Sequence, residues 1–206
     1  MKDILKGGLL LPLVEDFYTI QGEGFHSGEA AYFIRLGGCD VACEWCDARF
    51  TWNPRKFPPV AIEQIVARAV ECPAQSIVIT GGEPTLYPLE PLTKALRLRG
   101  LQIFIETSGT NELRGTFDWI CLSPKRQNPP LQSVLDKADE LKVIIQTQVD
   151  FEWAEANATQ VNENCRLYLQ PEWSRMGQIS PFIVEYVKNH PEWRISLQSH
   201  KFLHIP

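Results

Sequence analysis

Residues 31–46 read AYFIRLGGCDVACEWC, an apolar run that leads into a loop with three cysteines spaced Cys-x3-Cys-x2-Cys. Thiolates prefer soft metals, and Cys39, Cys43 and Cys46 are close enough in sequence to bind one metal group. A closed tetrahedral site would take four ligands, whereas a four-iron, four-sulfur (4Fe-4S) cluster held by three cysteines keeps one iron free. The odd number of cysteines therefore predicts a 4Fe-4S cluster with Cys39, Cys43 and Cys46 as its ligands.

Two simpler interpretations of these cysteines remain open. The three thiols also suit half of a structural zinc site that is completed elsewhere, or small side chains of the core. The remaining cysteines, Cys72, Cys121 and Cys165, are each alone in an apolar or helical stretch, with no second cysteine or histidine two to four residues away. We therefore interpret these three as buried thiols.

Apolar runs and amphipathic stretches alternate along the rest of the chain. The candidate strands are residues 31–36, 76–80, 101–106, 119–123, 141–146, 166–170 and 194–198. Stretches of helical period lie between them at 61–71, 89–98 and 179–189, while 131–138 and 151–158 are short helices or loops. Alternation of strand and helix predicts a parallel sheet with helices on the outside.

The length of the chain limits how far such a sheet can close. A chain of 206 residues, 44% of them hydrophobic, suffices for a single domain that spans residues 1–206. A closed eight-stranded β/α barrel typically takes about 250 residues. The sequence therefore predicts an α/β fold in the form of an incomplete, TIM-like β/α barrel, with reduced helices in its second half.

Composition and charge exclude some classes of function. The net charge of −5 provides no basic surface for a nucleic-acid backbone, so we expect no direct nucleic-acid partner. The apolar run near the start is too short and too interrupted for a signal peptide or a membrane span. We expect a cytoplasmic protein with no membrane partner, in which thiols stay reduced, so that six cysteines favour metal binding or catalysis over disulfides.

The residues that follow the predicted strands are polar and rich in glycine. They are Gly37-Gly38-Cys39, Thr80-Gly81-Gly82-Glu83-Pro84, Glu106-Thr107-Ser108-Gly109, Ser123-Pro124-Lys125 and Gln170-Pro171-Glu172-Trp173. In parallel α/β sheets, ligands bind at the carboxyl ends of the strands. We therefore expect these five segments to surround one site.

The cysteine loop and the Gly-Gly-Glu-Pro segment together resemble the radical S-adenosylmethionine (SAM) enzymes. An aromatic residue, Trp45, precedes the last cysteine, and the glycine segment follows one strand later. More narrowly, the chain is similar in order and spacing, over nearly its whole length, to the 7-carboxy-7-deazaguanine synthases. The similar segments include residues 18–24 (YTIQGEG), 33–35 (FIR), 140–142 (ELK) and 198–206 (QSHKFLHIP).

This resemblance implies a radical SAM barrel with a 4Fe-4S cluster and SAM as cofactors. Gly82 is expected near SAM because glycine lets the backbone approach a ligand, and Glu83 is expected to accept from the SAM ammonium. Glu106 is expected to bond the SAM ribose. The further SAM-binding residues that the resemblance implies are Ser123, Pro124, Lys125, Gln170, Pro171, Glu172 and Trp173.

The resemblance also implies a substrate, 6-carboxy-5,6,7,8-tetrahydropterin. Arg35 has the fork geometry that suits the substrate carboxylate, although an arginine in a strand pairs about as readily with a neighbouring acid. The other substrate-binding residues that it implies are Ile20, Gln21 and Gly22 of a pterin-binding turn, Thr80, and Pro206, whose terminal carboxylate would accept from the pterin amino group. We do not assign His200 or Lys201 to the site.

The implied reaction is a lyase reaction of 7-deazapurine, queuosine-type biosynthesis. A 5′-deoxyadenosyl radical would take hydrogen from C6 of the pterin, the ring would contract, and ammonia would leave to give 7-carboxy-7-deazaguanine. No protein acid or base is assigned. The implied partners are a flavodoxin or ferredoxin-type electron donor and a second copy of the chain in a homodimer.

The sequence departs from the family at one position beside the cluster. The family generally reads Cys-Asp-Thr after the last cluster cysteine, with the threonine hydroxyl on Mg²⁺, whereas this chain reads Cys46-Asp47-Ala48. Alanine cannot coordinate a metal. Either Asp47, Thr51, water and substrate complete the shell, or the chain has weak or no dependence on Mg²⁺, which we favour.

Two functions of other classes remain open on sequence alone. One is a small radical SAM activating enzyme that takes hydrogen from a glycine of a partner protein, and the other is a non-enzymatic zinc-binding module. Gln21-Gly22-Glu23-Gly24 and the final His-Ile-Pro suit a pterin site better than a protein substrate.

Overall fold

Nine strands form one sheet in the computed structural model, which describes residues 6–206. They are β1 (Leu10–Ile20), β2 (Ala30–Leu36), β3 (Pro59–Ala61), β4 (Ser76–Gly81), β5 (Gln102–Thr107), β6 (Trp119–Leu122), β7 (Glu140–Ile145), β8 (Arg166–Pro171) and β9 (Trp193–Ile195). Their order is β3-β1-β2-β4-β5-β6-β7-β8-β9. Strand β2 and strands β4 to β9 run parallel to one another, whereas β1 pairs antiparallel with β2 and with β3. Because β3 and β9 are free edges, the predicted incomplete barrel is confirmed.

The parallel strands are the seven that the sequence predicts, whereas β1 and β3 were not predicted. Strand β1 contains Pro12 and the adjacent acids Glu15 and Asp16, which interrupt the alternation typical of a strand. Both acids are paired in the fold: Glu15 contacts Arg35 and Asp16 contacts Arg68, each at 2.7 Å. The partners that make a strand of this segment are therefore distant in the sequence.

The helices are α1 (Ile62–Val70), α2 (Glu90–Arg97), α3 (Gln132–Leu135), α4 (Asp150–Ala158), α5 (Met176–Asn189) and α6 (Ser199–Leu203). Helices α1 to α5 lie between the parallel strands, whereas α6 follows β9 and packs against Gly22. No helix lies between β5 and β6, and α3 between β6 and β7 has only 4 residues, so the helices are reduced in the middle of the chain. No helix within residues 6–206 is long and apolar enough to cross a membrane.

The residue 21–29 segment, here called the 21–29 loop, places Phe25 and His26 in the amino-terminal end of the barrel interior. Phe25 stacks on Trp119 with ring centroids 4.7 Å apart, and His26 stacks on Phe104 at 4.3 Å. Phe25 N also donates to the carboxylate of Glu140 at the start of β7. Because this end is occupied by side chains, the open part of the barrel lies at the carboxyl ends of the strands.

Candidate active site

The carboxyl ends of the parallel strands surround a cavity of about 430 Å³. The sequence places five glycine-rich or polar segments there, and each contributes to the lining. The lining includes every predicted site residue except Pro124, namely Ile20, Gln21, Gly22, Arg35, Cys39, Cys43, Cys46, Thr80, Gly82, Glu83, Glu106, Ser123, Lys125, Gln170, Pro171, Glu172, Trp173 and Pro206. Residues from the two ends of the sequence therefore share one site.

The cysteine loop, residues 37–48, follows β2, and its first residues are held by hydrogen bonds to their backbone atoms. Gly38 N donates to Thr51 O at 2.7 Å, and Tyr87 Oη donates to Gly37 O at 2.6 Å. Within the loop, Cys46 N donates to Cys43 O at 3.1 Å. All three cysteine side chains line the cavity as a result.

The Gly-Gly-Glu segment supports the cysteine loop directly. Gly82 N donates to Leu36 O at 3.0 Å, and Glu83 N donates to Gly38 O at 2.8 Å. A Cβ on Gly82 would lie 2.1 Å from Gly38 O and 2.9 Å from Cys39 Cβ, so no larger residue fits without a shift of the backbone. Position 82 therefore requires a glycine because its backbone lies directly against the cysteine loop.

The carboxylate of Glu83 joins the ends of β4 and β5. It is 1% exposed and accepts from five donors: Thr85 N, Thr85 Oγ1, Thr107 Oγ1, Ser108 N and Ser108 Oγ. Hydrogen bonds of this kind to an ionised oxygen are the strong ones. Its predicted contact with the SAM ammonium stays a prediction, and the carboxylate already has a structural role.

The donor set suits an iron–sulfur cluster better than a single metal ion. Within residues 6–206, the one group of three metal-ligating side chains whose donor atoms lie within 4.8 Å of one another is Glu155, His190 and Glu192. The three loop sulfurs are therefore spread more widely than the roughly 4 Å that separates thiolates on one tetrahedral zinc. A 4Fe-4S cube binds each cysteine to a different iron and accommodates this wider spacing.

Lys125 brings a positive charge beside the cysteine loop. Its Nζ donates to the backbone O and Oγ of Ser123 and lies 5.4 Å from the centre of the Trp45 ring. Burial raises the pKa of the Cys43 thiol, and Lys125 opposes that effect because a cation favours the thiolate. Burial in turn lowers the pKa of Lys125.

A buried lysine, Lys142 of β7, joins two carboxylates in the cavity wall. Its side chain is 3% exposed, and its Nζ contacts Glu23 Oε2 at 2.7 Å and Glu106 Oε2 at 2.9 Å. Burial alone would raise the pKa of Glu23, but the ammonium and its hydrogen bonds lower that pKa to about 2. Burial alone would lower the pKa of Lys142, but the surrounding negative charges raise it well above its usual value. Glu23 and Lys142 are therefore both charged at neutral pH.

The predicted pterin-binding turn is fixed by the same network. Gln21 Nε2 donates to Glu106 Oε1 at 3.2 Å, and Gln21 Oε1 accepts from Glu23 N at 3.1 Å. A Cβ on Gly22 would lie 2.3 Å from His200 Nδ1, so the turn packs against the start of α6. Glu106, predicted as a ribose contact, is thus also a link between the turn and Lys142.

Arg35 pairs with a neighbouring acid and also lines the cavity, while its contact with the substrate carboxylate stays a prediction. Its Nε donates to Glu15 Oε1 at 2.7 Å across the β1–β2 pair, and its guanidinium lies 5.9 Å from the centre of the Phe17 ring. The side chain still lines the cavity beside Thr80. Pro206 also lines it, and its backbone O accepts from Thr19 Oγ1 at 3.3 Å.

Polar residues of the cavity wall that were not assigned to the site from the sequence include Glu23, Lys142, Gln198, His200 and Lys201, and Asp47 was named only as an alternative ligand of Mg²⁺. Lys201 Nζ contacts Asp47 Oδ2 at 2.8 Å and Gln198 Oε1 at 2.9 Å. Gln198 Nε2 donates to Glu23 Oε1 at 2.8 Å, and burial lowers the pKa of His200. The sequence signal for most of them was their place inside segments that carry the family resemblance.

The residues named as alternative Mg²⁺ ligands make contacts within the protein. Thr51 is fully buried, does not line the cavity, and donates its hydroxyl to Ala48 O at 2.7 Å. The carboxylate of Asp47 is paired with Lys201. In this conformation Thr51 therefore offers no oxygen to the cavity, and Asp47 already shares its carboxylate with a lysine.

Comparison with known proteins agrees with this site. Residues 33–164 match the model of the radical SAM superfamily, and the chain belongs to that superfamily. It is 52% identical to the 7-carboxy-7-deazaguanine synthase of Flavobacterium psychrophilum over 199 residues, which cover 97% of this chain and 94% of the relative. It is 45% identical to the synthase of a Synechocystis species, with 94% and 93% covered.

A solved structure shows the same fold. The crystal structure of QueE from Escherichia coli superimposes with a TM-score of 0.84 at 34% sequence identity, with 95% of this chain and 97% of that chain covered. Within the radical SAM superfamily, the chain is therefore a member of the 7-carboxy-7-deazaguanine synthase family.

Proposed function

We propose that this enzyme contracts the ring of 6-carboxy-5,6,7,8-tetrahydropterin to 7-carboxy-7-deazaguanine with loss of ammonia, in 7-deazapurine biosynthesis. The observation that carries the proposal is the meeting of the cysteine loop, the 20–22 turn and Pro206 at one cavity. The loop offers thiolates for a cluster, and the turn offers backbone and amide groups for a flat polar ring. A non-enzymatic zinc module would not require the 20–22 turn and Pro206 at the same cavity as the cysteine loop.

Cys39, Cys43 and Cys46 would hold the 4Fe-4S cluster, and SAM would bind beside it. When bound together, the cluster and SAM would supply a 5′-deoxyadenosyl radical for removal of hydrogen from C6 of the substrate. No side chain is assigned as an acid or base on C6. The role of the chain would be to position the reacting carbon and to exclude water. The proposed SAM-binding residues are Gly82, Glu83, Glu106, Ser123, Pro124, Lys125, Gln170, Pro171, Glu172 and Trp173.

Ile20, Gln21 and Gly22 would bind the edge of the pterin ring, and Thr80 would contact it from β4. Arg35 keeps its terminal guanidinium nitrogens for the substrate carboxylate, because its contact with Glu15 uses Nε. The terminal carboxylate of Pro206 would accept from the pterin amino group. Each of these groups lines the cavity, which supports the assignment.

Further parts of the proposal concern what acts with the enzyme. A flavodoxin or ferredoxin-type protein would supply the electron, and the chain would act as a cytoplasmic homodimer with no direct contact to nucleic acid. Exposed apolar side chains near the free edge at β9, Ile195, Leu197, Phe202 and Leu203, support a protein interface there. Mg²⁺ dependence would be weak or absent.

Anaerobic turnover of the reconstituted enzyme tests the proposed function. With SAM, a reductant and 6-carboxy-5,6,7,8-tetrahydropterin, we expect 7-carboxy-7-deazaguanine and ammonia in equal amounts, detected by mass spectrometry and an ammonia assay. The Cys43→Ala variant should form neither, while Cys165→Ala, outside the cavity, should retain activity. A brown protein that consumes SAM only with a partner protein would instead indicate an activating enzyme.

A further inference from the structure

We propose that the ammonium of Lys201 binds the substrate carboxylate alongside Arg35 in this chain, in place of a divalent metal ion. This inference rests on the proposed function, because it assigns a role within the same site. It extends that function by naming a second positive charge on which substrate binding depends. It also explains how the chain tolerates Ala48.

Four lysine and arginine side chains line the cavity: Arg35, Lys125, Lys142 and Lys201. Lys142 lies between two carboxylates and is 3% exposed, so its charge is already neutralised. Lys125 donates twice to Ser123 and lies beside Trp45, on the cluster side of the cavity. Arg35 and Lys201 are therefore the cations with donors to spare for a ligand.

The surroundings of Lys201 hold its ammonium in one place. Nζ donates to Asp47 Oδ2 at 2.8 Å and to Gln198 Oε1 at 2.9 Å, and it lies 5.0 Å from the centre of the Trp173 ring. An ammonium has three N–H donors, so one remains after these two hydrogen bonds. The side chain is 20% exposed, which leaves that donor accessible from the cavity.

Lys201 is also fixed relative to the proposed pterin-binding turn. Ser199, the first residue of α6, donates to Gly22 O through both its backbone N (2.9 Å) and its Oγ (3.0 Å). Lys201 N in turn donates to Gln198 O at 3.0 Å. A ligand bound at the 20–22 turn therefore meets an ammonium whose position is set by the same short segment.

A divalent cation is poorly accommodated beside this ammonium. Mg²⁺ requires near-octahedral coordination by oxygen, but Ala48 offers no side-chain oxygen and Thr51 directs its hydroxyl to Ala48 O. Asp47 remains, and its carboxylate contacts an ammonium at 2.8 Å that would repel a second cation. The charge that a metal would supply is thus present as a side chain.

Steady-state kinetics on chelated, reconstituted holoenzyme test this inference. We expect the KM of the wild type for 6-carboxy-5,6,7,8-tetrahydropterin to change less than about twofold when Mg²⁺ is added. An ion that binds equally to the free and the substrate-bound enzyme cannot change the affinity for the substrate. Lys201→Met should raise KM about 10- to 100-fold, as expected for one charge-assisted hydrogen bond, with a smaller effect on kcat. Added Mg²⁺ should not restore it, whereas Lys201→Arg should retain most of the affinity.

Two further readouts do not depend on turnover. Binding of 6-carboxypterin, an oxidised analogue that lacks the hydrogen at C6, should weaken in Lys201→Met by a similar factor. Mn²⁺, a paramagnetic probe for a Mg²⁺ site, should show no stoichiometric binding to the wild-type holoenzyme by electron paramagnetic resonance. Lys188→Met is the matched control, because Lys188 pairs only with Glu185 among the described side chains and lies on α5 outside the cavity.

The outcomes separate the inference from the function on which it rests. If the wild type forms product but requires Mg²⁺, or if Lys201→Met keeps the KM of Lys188→Met, the role of Lys201 is wrong and the proposed function stands. If the wild type forms no product with or without Mg²⁺, the proposed function fails and this role fails with it.

Discussion

Lys142 illustrates at the residue scale why a cavity wall can contain so many charges. Without the ammonium between them, the carboxylates of Glu23 and Glu106 would repel each other, and nothing would compensate for the hydration that they lose on burial. Their pairing instead fixes the 20–22 turn through Gln21. The network thereby contributes to both stability and the shape of the site.

Replacing Lys142 should destabilise the protein. We expect Lys142→Met to lower the free energy of unfolding by about 3–5 kcal/mol, the cost of leaving a buried charge without its partner. Lys142→Arg should cost less because it keeps the charge. Chemical denaturation measures the difference, with Lys188→Met as the exposed-lysine control. Equal unfolding midpoints for Lys142→Met and Lys188→Met would show that the two carboxylates do not depend on Lys142.

Glu140 should make stability depend on pH. Burial raises its pKa above 4.5, although Lys142 opposes the shift, and its Oε1 has no hydrogen-bond partner among the described residues. The folded state therefore binds a proton more tightly than the unfolded state, so this contribution is fully present below pH 4.5 and is lost as pH rises through the folded pKa.

The Glu140→Gln variant isolates that contribution. The stability of the wild type relative to Glu140→Gln should fall as pH rises above 4.5, since the glutamine cannot ionise. Thermal or chemical unfolding at several pH values measures the difference. A difference that is constant with pH, or that grows with pH, would contradict the raised pKa.

The limits of sequence reasoning at this scale follow from separation along the chain. The cysteines and the Gly-Gly-Glu segment are contiguous motifs, so their place in the cavity could be predicted. Lys142 and Glu23 are 119 residues apart, and Lys201 and Asp47 are 154 residues apart. Such pairs exist only after folding, which is why Lys142 and Lys201 were missed and why Asp47 was named only as an alternative ligand of Mg²⁺.

At the scale of elements, the parallel strands were predictable because each is a short apolar run followed by glycine and polar residues. Strand β1 was not, because its acids meet their partners on β2 and α1. Helix α5 begins at Met176, three residues before the predicted start, and contains Pro181. The predicted helix already contained Pro181, so the difference concerns only its first turn.

The contact between the glycine segment and the cysteine loop yields a test at this scale. Gly82→Ala should push the loop away, because its Cβ would lie 2.1 Å from Gly38 O. We expect less iron per chain and weaker visible absorbance after reconstitution, with about 1–3 kcal/mol of lost stability from overpacking.

Gly177→Ala is the matched control for that variant. Nothing lies within 4 Å of a Cβ built on Gly177 in α5, so iron content should equal that of the wild type. Full cluster loading in Gly82→Ala would mean that the close approach to Gly38 does not hold the cysteine loop.

For the whole molecule, the architecture divides the barrel into two ends. The 21–29 loop places Phe25 and His26 in the amino-terminal end, whereas the carboxyl end stays open as a cavity of about 430 Å³. The sheet has free edges at β3 and β9, so the chain reaches a barrel-like site without closing the barrel. Length and strand count predicted this architecture, but not the loop that enters its interior.

Cofactor binding should stabilise the whole fold by mass action. At a SAM concentration about 100 times its dissociation constant, the folded state gains about 2.7 kcal/mol, which corresponds to roughly 5–10 °C in Tm for a chain of this size. Cys46→Ala should lose most of this shift, because SAM would lack the open iron. An equal Tm shift in Cys46→Ala and the wild type would contradict binding of SAM at the cluster.

The most direct test of the central claim follows deuterium placed at C6 of 6-carboxy-5,6,7,8-tetrahydropterin during anaerobic turnover of the reconstituted enzyme. We expect the label to appear in the 5′-deoxyadenosyl group, as SAM or as 5′-deoxyadenosine, while 7-carboxy-7-deazaguanine and ammonia accumulate. Product that forms without any label in that group, or label transfer without ring contraction, would contradict the proposed reaction.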